Sequence, residues 1–131
     1  MILPDTSIWI DLIRDPAKLR AAGDRYRNFV MCGPILQEVL QGLEESKYAD
    51  QLRDAMLTLP RLCDPMPMEV FLKGAELFSE GRRRGYTIRS TVDCLIAAVA
   101  IENNATVWHR DPDFTMIARY APLRILSDYL T

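Results

Sequence analysis

The stretch that decides the fold is Thr91–Asn103, which reads TVDCLIAAVAIEN. Its apolar residues fall on nearly every side of a helical repeat, so the pattern predicts a helix that is buried almost all round. Ser90 precedes the stretch, and Asp93 follows three residues later in the first turn, as in a capping box. Asn104 comes directly after the last helical position. We therefore expect a buried helix that ends at Asn103.

Short apolar runs with strand character lie on both sides of this helix. They are Ile2-Leu3, Phe29–Cys32, Arg61–Cys63, Thr106–Trp108 and Leu123–Leu126. Helical patterns separate them: a helix capped by Ser7 and running through Ile13, then Lys18–Arg27, Pro34–Leu43, Ala49–Leu59, Val70 to about Gly81–Gly85, and Pro112–Tyr120. Strands that alternate with helices imply crossover connections. The sequence thus predicts an α/β fold, a three-layer sandwich with a mainly parallel central sheet.

Length and composition favour one globular domain over residues 1–131. Of these residues 49% are hydrophobic and 26% are charged, which is ordinary globular usage. A chain of this length buries a core without a disulfide or a structural zinc ion. Cys32, Cys63 and Cys94 are far apart and lie among apolar residues, so we expect reduced thiols in or near the core.

Location and charge narrow the function classes. The longest apolar run, Cys94–Ile101, is too short to span a membrane, and the N-terminus has no signal-peptide core. We expect a soluble, cytoplasmic protein. Its formal net charge is −2, so the overall field does not attract nucleic acid. Binding of nucleic acid would need a local basic patch or a bound cation.

Carboxylates recur at the positions where such folds bind ligands. In parallel sheets these positions lie beyond the carboxyl ends of the strands. Asp5 and Asp111 follow the first and fourth predicted strands, and Asp93 lies in the first turn of the buried helix. Glu38 lies roughly 60° outside the apolar stripe of its helix, at the edge of the buried face.

Each of these residues also has a purely structural explanation. Asp5 and Asp93 suit the N-termini of helices, and Glu38 suits an exposed surface. Asp111 and the nearby Asp113 suit a turn. The joint placement of two carboxylates at strand ends and two on neighbouring helices is harder to explain by structure alone.

Converging carboxylates need a counter-charge. Two unit charges about 4 Å apart repel by roughly 4 kcal/mol at an effective dielectric constant of 20, so such a cluster takes up protons or binds a hard cation. Mg²⁺ and Mn²⁺ prefer carboxylate oxygens, and a cation held in this way polarises phosphoryl groups. The single His109 cannot form a His-rich zinc site. The pattern therefore predicts metal-dependent hydrolysis of phosphodiesters.

These motifs resemble those of PIN domains, and by length and spacing those of the VapC-type toxins of bacterial toxin–antitoxin pairs. The matching segments are Asp5-Thr6-Ser7, Glu38 with Gly42, Asp93–Ala98, and Asp111-Pro112-Asp113-Phe114. The resemblance extends nearly end to end. It implies a single PIN-like nuclease domain with helices around a parallel sheet, a Mg²⁺ or Mn²⁺ site, and RNA as the substrate. It also implies a cognate antitoxin and a homodimer.

The resemblance assigns roles to individual residues. The catalytic acidic positions of the family match Asp5, Glu38, Asp93 and Asp111. Its metal ligands match Asp5, Asp93 and Asp111, and supporting positions match Thr6, Ser7 and Asp113. The pair His109-Arg110 departs from the family, which often has smaller polar residues there.

Three features have a structural and a functional interpretation. The run Arg82-Arg83-Arg84, with Arg89 nearby, is either a solvated helix end or a contact to RNA phosphates. We interpret His109 as a solvated residue at a strand end rather than as a phosphate-orienting group. Trp9 and Trp108 are expected in the core rather than stacked on bases.

Three functions are consistent with these observations. The leading hypothesis is an endoribonuclease toxin that is restrained by an antitoxin. A DNA-directed nuclease of the flap-endonuclease type is a second, but the chain lacks the extra helical segments which that activity needs. A catalytically silent PIN-like binding scaffold is the third, although a scaffold has no reason to keep repelling charges together.

Overall fold

The structure is a computed structural model, and it describes residues 1–43 and 47–127. In chain order its elements are β1 (Ile2–Pro4), α1 (Thr6–Arg14), α2 (Pro16–Ala22), a 3-10 helix (Gly23–Asn28), α3 (Gly33–Gly42), α4 (Ala49–Leu57), α5 (Met68–Arg83), α6 (Thr91–Asn103), β2 (Thr106–Trp108), α7 (Pro112–Ala118) and β3 (Arg124–Leu126). Helices and parallel strands alternate along the chain, which confirms the predicted α/β sandwich.

The strands form a parallel sheet in the order β1-β2-β3. Ile2 pairs with Thr106, and Thr106 pairs with Arg124. The carboxyl ends of β1 and β2 therefore lie side by side, and the residues that follow them, Asp5 and His109, begin at the same edge of the sheet.

Two of the predicted strands are reduced to single bridges. Ile2 bridges Phe29, and Met31 bridges Arg61, both in parallel orientation. The run Phe29–Cys32 is cut short because α3 begins directly after it. The run Arg61–Cys63 is cut short because Cys63 has a φ of 55°, which is outside the extended region. Both segments nevertheless continue the sheet beyond β1.

Helix α6 has the predicted bounds and lies at the centre of the core. Its first turn is capped by Ser90, whose Oγ accepts a hydrogen bond from the Asp93 backbone N–H at 3.3 Å. The helix ends at Asn103, and the next residue, Asn104, is the C-cap with a φ of 53°. Helix α5 packs along it. A Cβ on Gly74 of α5 would lie 3.4 Å from the Leu95 Cα, at the short end of ordinary van der Waals contact, so the two helix backbones pack closely here.

The aromatic core behaves as the sequence predicts. Trp9 and Trp108 are buried, and Phe29 packs edge-on against both, with ring centroids at 5.6 Å and 5.8 Å. Cys32 and Cys94 are buried and Cys63 is half-buried, all three as free thiols. Among the described residues, no helix is long and apolar enough to cross a membrane.

Candidate active site

Asp5 joins the end of β1 to the start of α1. Its backbone N–H donates to the Trp108 carbonyl at 2.9 Å. Its Oδ1 accepts hydrogen bonds from the Ile8 backbone N–H at 3.2 Å and from the Ser7 hydroxyl at 2.7 Å. The cap of α1 is therefore Asp5, and the prediction that Ser7 caps this helix is wrong. Ser7 instead fixes the Asp5 carboxylate from within the first turn.

Asp111 and Asp113 are positioned by the start of α7. Asp111 Oδ1 accepts from the Asp113 backbone N–H at 2.9 Å. Asp113 is buried, and its Oδ2 accepts from the backbone N–H groups of Arg89 and Ser90, each at 3.1 Å. These two bonds attach the start of α7 to the residues that precede α6. They bring Asp113 next to Asp93.

Three carboxylates converge as a result. One oxygen from each of Asp93, Asp111 and Asp113 lies within 4.8 Å of the others. The Oδ1 of Asp113 is buried and has no hydrogen-bond partner among the described residues. The predicted metal ligands were Asp93 and Asp111 together with Asp5, whereas the structure groups the first two with Asp113.

Burial and mutual repulsion control the ionisation of this acidic cluster, by which we mean Asp93, Asp111 and Asp113 with the adjoining Asp5. Burial is the main cause that raises the pKa of Asp93 to about 8. The charge of Asp111, a hydrogen bond to Asp113 and the charges of Asp113 and Asp5 raise it further. Without a cation, Asp93 is therefore largely protonated at neutral pH.

The pKa of Asp5 is raised by the same two causes, but by less than the pKa of Asp93. Burial raises its pKa to about 6, and the charge of Asp111 adds to the increase. The hydrogen bonds from Ser7 and Ile8 act in the opposite direction because they stabilise the carboxylate. Asp5 therefore remains mostly ionised at neutral pH.

Glu38 lies beside the acidic cluster rather than within it. Its Oε1 accepts a hydrogen bond from the Thr6 hydroxyl at 3.1 Å, which links α3 to the first turn of α1. It is not one of the three carboxylates within 4.8 Å of one another. Helix α3 is held close to α1, since a Cβ on Gly42 would lie 3.3 Å from Ile10 Cδ1.

A cleft of about 460 Å³ opens beside the cluster, and two arginines line it. Arg89 precedes α6, and Arg110 follows β2. Arg110 is held by an ion pair in which its Nη2 lies 2.9 Å from Asp11 Oδ1. Arg110 was not among the binding residues predicted from the sequence. Its position directly after a predicted strand end was the available signal.

The basic run on α5 is directed elsewhere. Arg83 Nε and Arg84 Nε donate to Glu80 at 3.1 Å and 2.7 Å, and the Arg82 guanidinium lies over the Phe78 ring. None of the three lines the cleft beside the acidic cluster. Of the four arginines that the sequence indicated, only Arg89 does.

His109 is not the solvated residue that its place in the sequence predicted. It is only 1% exposed, because its ring packs against Phe114 with the ring centroids 5.3 Å apart. Its Nδ1 accepts a hydrogen bond from the Asp111 backbone N–H at 3.1 Å. Burial lowers its pKa, which favours the neutral imidazole. The solvated interpretation was therefore wrong.

The donor set fits a hard divalent cation. Carboxylate oxygens are the protein ligands that Mg²⁺ and Mn²⁺ prefer, and the cluster supplies three of them within ligand-sharing distance. The buried Asp113 Oδ1 has no hydrogen-bond partner among the described residues, and a cation would satisfy it. The cluster lies next to a cleft lined by Arg89 and Arg110, an arrangement suited to an anionic ligand.

The chain belongs to the PIN domain family, whose model matches residues 2–120. Within this family it is similar over nearly its full length to the VapC ribonucleases. It is 35% identical to ribonuclease VapC11 of Mycobacterium tuberculosis strain H37Rv, in a match that covers 97% of this chain and 98% of that protein.

Solved structures share the fold. The structure of VapBC-1 from nontypeable Haemophilus influenzae matches with a TM-score of 0.71 and 22% identity, over 96% of this chain and 97% of that one. A toxin–antitoxin complex from Klebsiella pneumoniae matches with a TM-score of 0.74 and 17% identity, over 100% of both chains. At these identities the likeness establishes the common architecture.

Proposed function

We propose that this protein is a Mg²⁺- or Mn²⁺-dependent endoribonuclease and the toxin of a toxin–antitoxin pair. The observation that carries the proposal is the convergence of Asp93, Asp111 and Asp113 within 4.8 Å. Such repulsion is tolerated in a buried site when a cation or a proton compensates it. The extensive similarity to VapC ribonucleases supports RNA as the substrate.

The acidic residues of the site would have two roles, namely binding the cation and accepting a proton. Asp93, Asp111 and Asp113 would hold the cation, with Asp5 contributing negative charge beside them. When bound, the cation supplies Lewis-acid polarisation of the scissile phosphate. Asp5 is suited to accept the proton that the attacking water loses, because its pKa of about 6 lies near neutrality.

The remaining residues of the site would position the carboxylates or bind the phosphates of the substrate. Ser7 holds the Asp5 carboxylate, and Thr6 holds Glu38 at the edge of the cluster, where Glu38 would orient the water or the substrate. Arg89 and Arg110 would bind the phosphates on either side of the cut.

The proposal extends to partners. An antitoxin protein would bind this chain, and a second copy of the chain would form a homodimer with it. The fold shared with a toxin–antitoxin complex from Klebsiella pneumoniae supports the first of these. We assign the cytoplasm as the place of action, since a toxin that cleaves cellular RNA must meet its substrate there.

The test is cleavage of RNA by the purified chain in Mg²⁺, in Mn²⁺ and in EDTA. We expect cleavage with either cation and none with the chelator. Asp93→Asn should abolish cleavage because the amide keeps the shape but not the charge. The matched control is Asp24→Asn, since the Asp24 side chain is 96% exposed. Undiminished cleavage in EDTA would reject the proposal.

The same experiment separates the two alternatives. A silent scaffold would bind RNA without cleaving it under any of these conditions. A flap-type nuclease would cleave branched DNA in preference to RNA. Both substrates are therefore offered in parallel to the wild-type chain and to the Asp93→Asn variant.

A further inference from the structure

We propose that His109 is a positioning residue, which holds Asp111 in the acidic cluster by accepting the hydrogen bond of its backbone N–H. The inference deepens the proposed function, on which its activity measurement rests. Its metal-binding and spectroscopic measurements do not depend on RNA cleavage.

The turn between β2 and α7 must direct the Asp111 carboxylate toward Asp93. The Asp111 side chain is already engaged at one oxygen, which accepts the Asp113 N–H. The Asp111 backbone N–H makes a second hydrogen bond, which it donates to the His109 Nδ1 at 3.1 Å. Two hydrogen bonds thus fix Asp111, one through its side chain and one through its backbone, and removal of either would loosen the turn.

The imidazole is itself rigidly held. The His109 backbone N–H donates to the Leu126 carbonyl at 3.0 Å, its ring packs on Phe114, and the side chain is buried. A ring clamped in this way offers its Nδ1 acceptor in a fixed direction. A flexible or solvated side chain in the same place would not constrain the turn.

The second ring nitrogen of His109, Nε2, also supports a positioning role. Because Nδ1 accepts a hydrogen bond, the neutral ring carries its proton on Nε2. That Nε2–H is buried and has no hydrogen-bond partner among the described residues. An unpaired buried donor lowers stability, so an apolar residue would suit this pocket better if packing were its only task. The Nδ1 acceptor accounts for the presence of histidine.

The first measurement is the tautomer of the imidazole in the wild-type chain. His109 is the only histidine of the sequence, so its ¹⁵N resonances need no assignment. We expect the Nε2–H tautomer, with an unprotonated and hydrogen-bonded Nδ1, in the metal-free protein at neutral pH. A proton on Nδ1 would overturn the proposal.

The second measurement compares two variants. His109→Leu replaces the imidazole by an apolar side chain of comparable size and so removes the hydrogen-bond acceptor. His109→Asn keeps an acceptor oxygen on Cγ, where Nδ1 is attached. We expect Mn²⁺ affinity, measured by calorimetry, to fall by about 10–100-fold in the leucine variant and to be largely retained in the asparagine variant. The RNA cleavage rate at saturating Mn²⁺ should follow the same order.

The outcomes are distinguishable. If the folded asparagine variant binds Mn²⁺ as poorly as the leucine variant, or if both bind it as the wild type does, the positioning role is rejected. Should the leucine variant fail to fold, the asparagine variant and the tautomer decide the question. Absence of RNA cleavage by the wild-type chain would count against the proposed function alone.

Discussion

At the scale of single residues, burial decides how the acidic cluster titrates. The pKa of Asp93 is raised from 3.8 to about 8, so the folded state binds this proton more tightly than the unfolded state does. Stability therefore falls as pH rises from near 4 through about 8. Asp5, with a pKa raised to about 6, adds to the loss in the lower part of this range.

We accordingly expect the Tm of the metal-free protein to decrease as pH increases from about 6.5 to about 8.5. Below this range His109, whose pKa burial lowers, acts in the opposite direction. Added Mg²⁺ or Mn²⁺ should raise the Tm more at the alkaline end, because cations bind deprotonated carboxylates. Asp93→Asn should flatten the pH dependence, since it removes the group with the largest shift. Thermal denaturation in EDTA across a pH series measures both effects. A Tm that rises over this range would contradict the electrostatic account.

Single residues also mark the limit of what the sequence could predict. Carboxylates after apolar runs indicated Asp5 and Asp111, because strand ends are local features. The membership of Asp113 was not visible, since it depends on backbone N–H groups more than twenty residues away. The burial of His109 was missed for a different reason: Phe114, which packs against it, lies only five residues away, but the contact depends on the turn that starts α7.

At the scale of elements, hydrophobic periodicity was informative where one helix is surrounded by others. It predicted α6 with its observed bounds, because the apolar pattern on all sides identifies a buried helix and the capping residues mark where this helix begins and ends. The segments around Met31 and Arg61 were predicted as strands and form only single bridges. Pairing in a sheet is non-local, so an apolar run alone does not determine how many of its residues pair.

The packing of α5 on α6 gives a prediction at this scale. Gly74→Val would add a branched side chain where a Cβ alone already lies 3.4 Å from the Leu95 Cα. We expect a decrease of about 1–3 kcal/mol in the free energy of unfolding, as for other overpacked cores. The matched control is Ala75→Val, at an exposed position of the same helix, which should change stability much less. Urea denaturation of both variants tests this. Valine has a higher helix propensity than glycine and a lower one than alanine, so propensity alone would lower the stability of the control only. A decrease for Gly74→Val that is no larger than that for Ala75→Val would contradict the packing account.

At the scale of the whole molecule, the proposed function requires a chain with a net charge of −2 to bind RNA, which is itself a polyanion. Long-range attraction is weak in such a protein, so affinity has to come from a few local interactions. The structure places Arg89 and Arg110 in the cleft beside the acidic cluster. Each arginine pair also has one carboxylate partner: Arg110 pairs with Asp11, and Arg83 and Arg84 share Glu80.

This distribution of charge gives a prediction that separates the two arginine pairs. Replacing Arg89 and Arg110 together by alanine should weaken binding of single-stranded RNA across sequences, because side chains that bind phosphates do not read bases. The dependence of log K on log salt should become shallower by about 0.7 for each phosphate that the variant no longer neutralises. Replacing Arg83 and Arg84 together serves as the matched control, with the same change in net charge.

The measurement is fluorescence anisotropy of a labelled RNA across a salt series, in EDTA so that no cleavage occurs. If the two double variants show the same decrease in affinity and in salt dependence, the effect reflects net charge and not the cleft. If the Arg83 and Arg84 variant is the weaker binder, RNA lies along the end of α5, as one interpretation of the sequence held. A larger decrease for Arg89 and Arg110 would mean that RNA enters between α6 and the end of β2. That path leads directly to the carboxylates proposed to hold the cation.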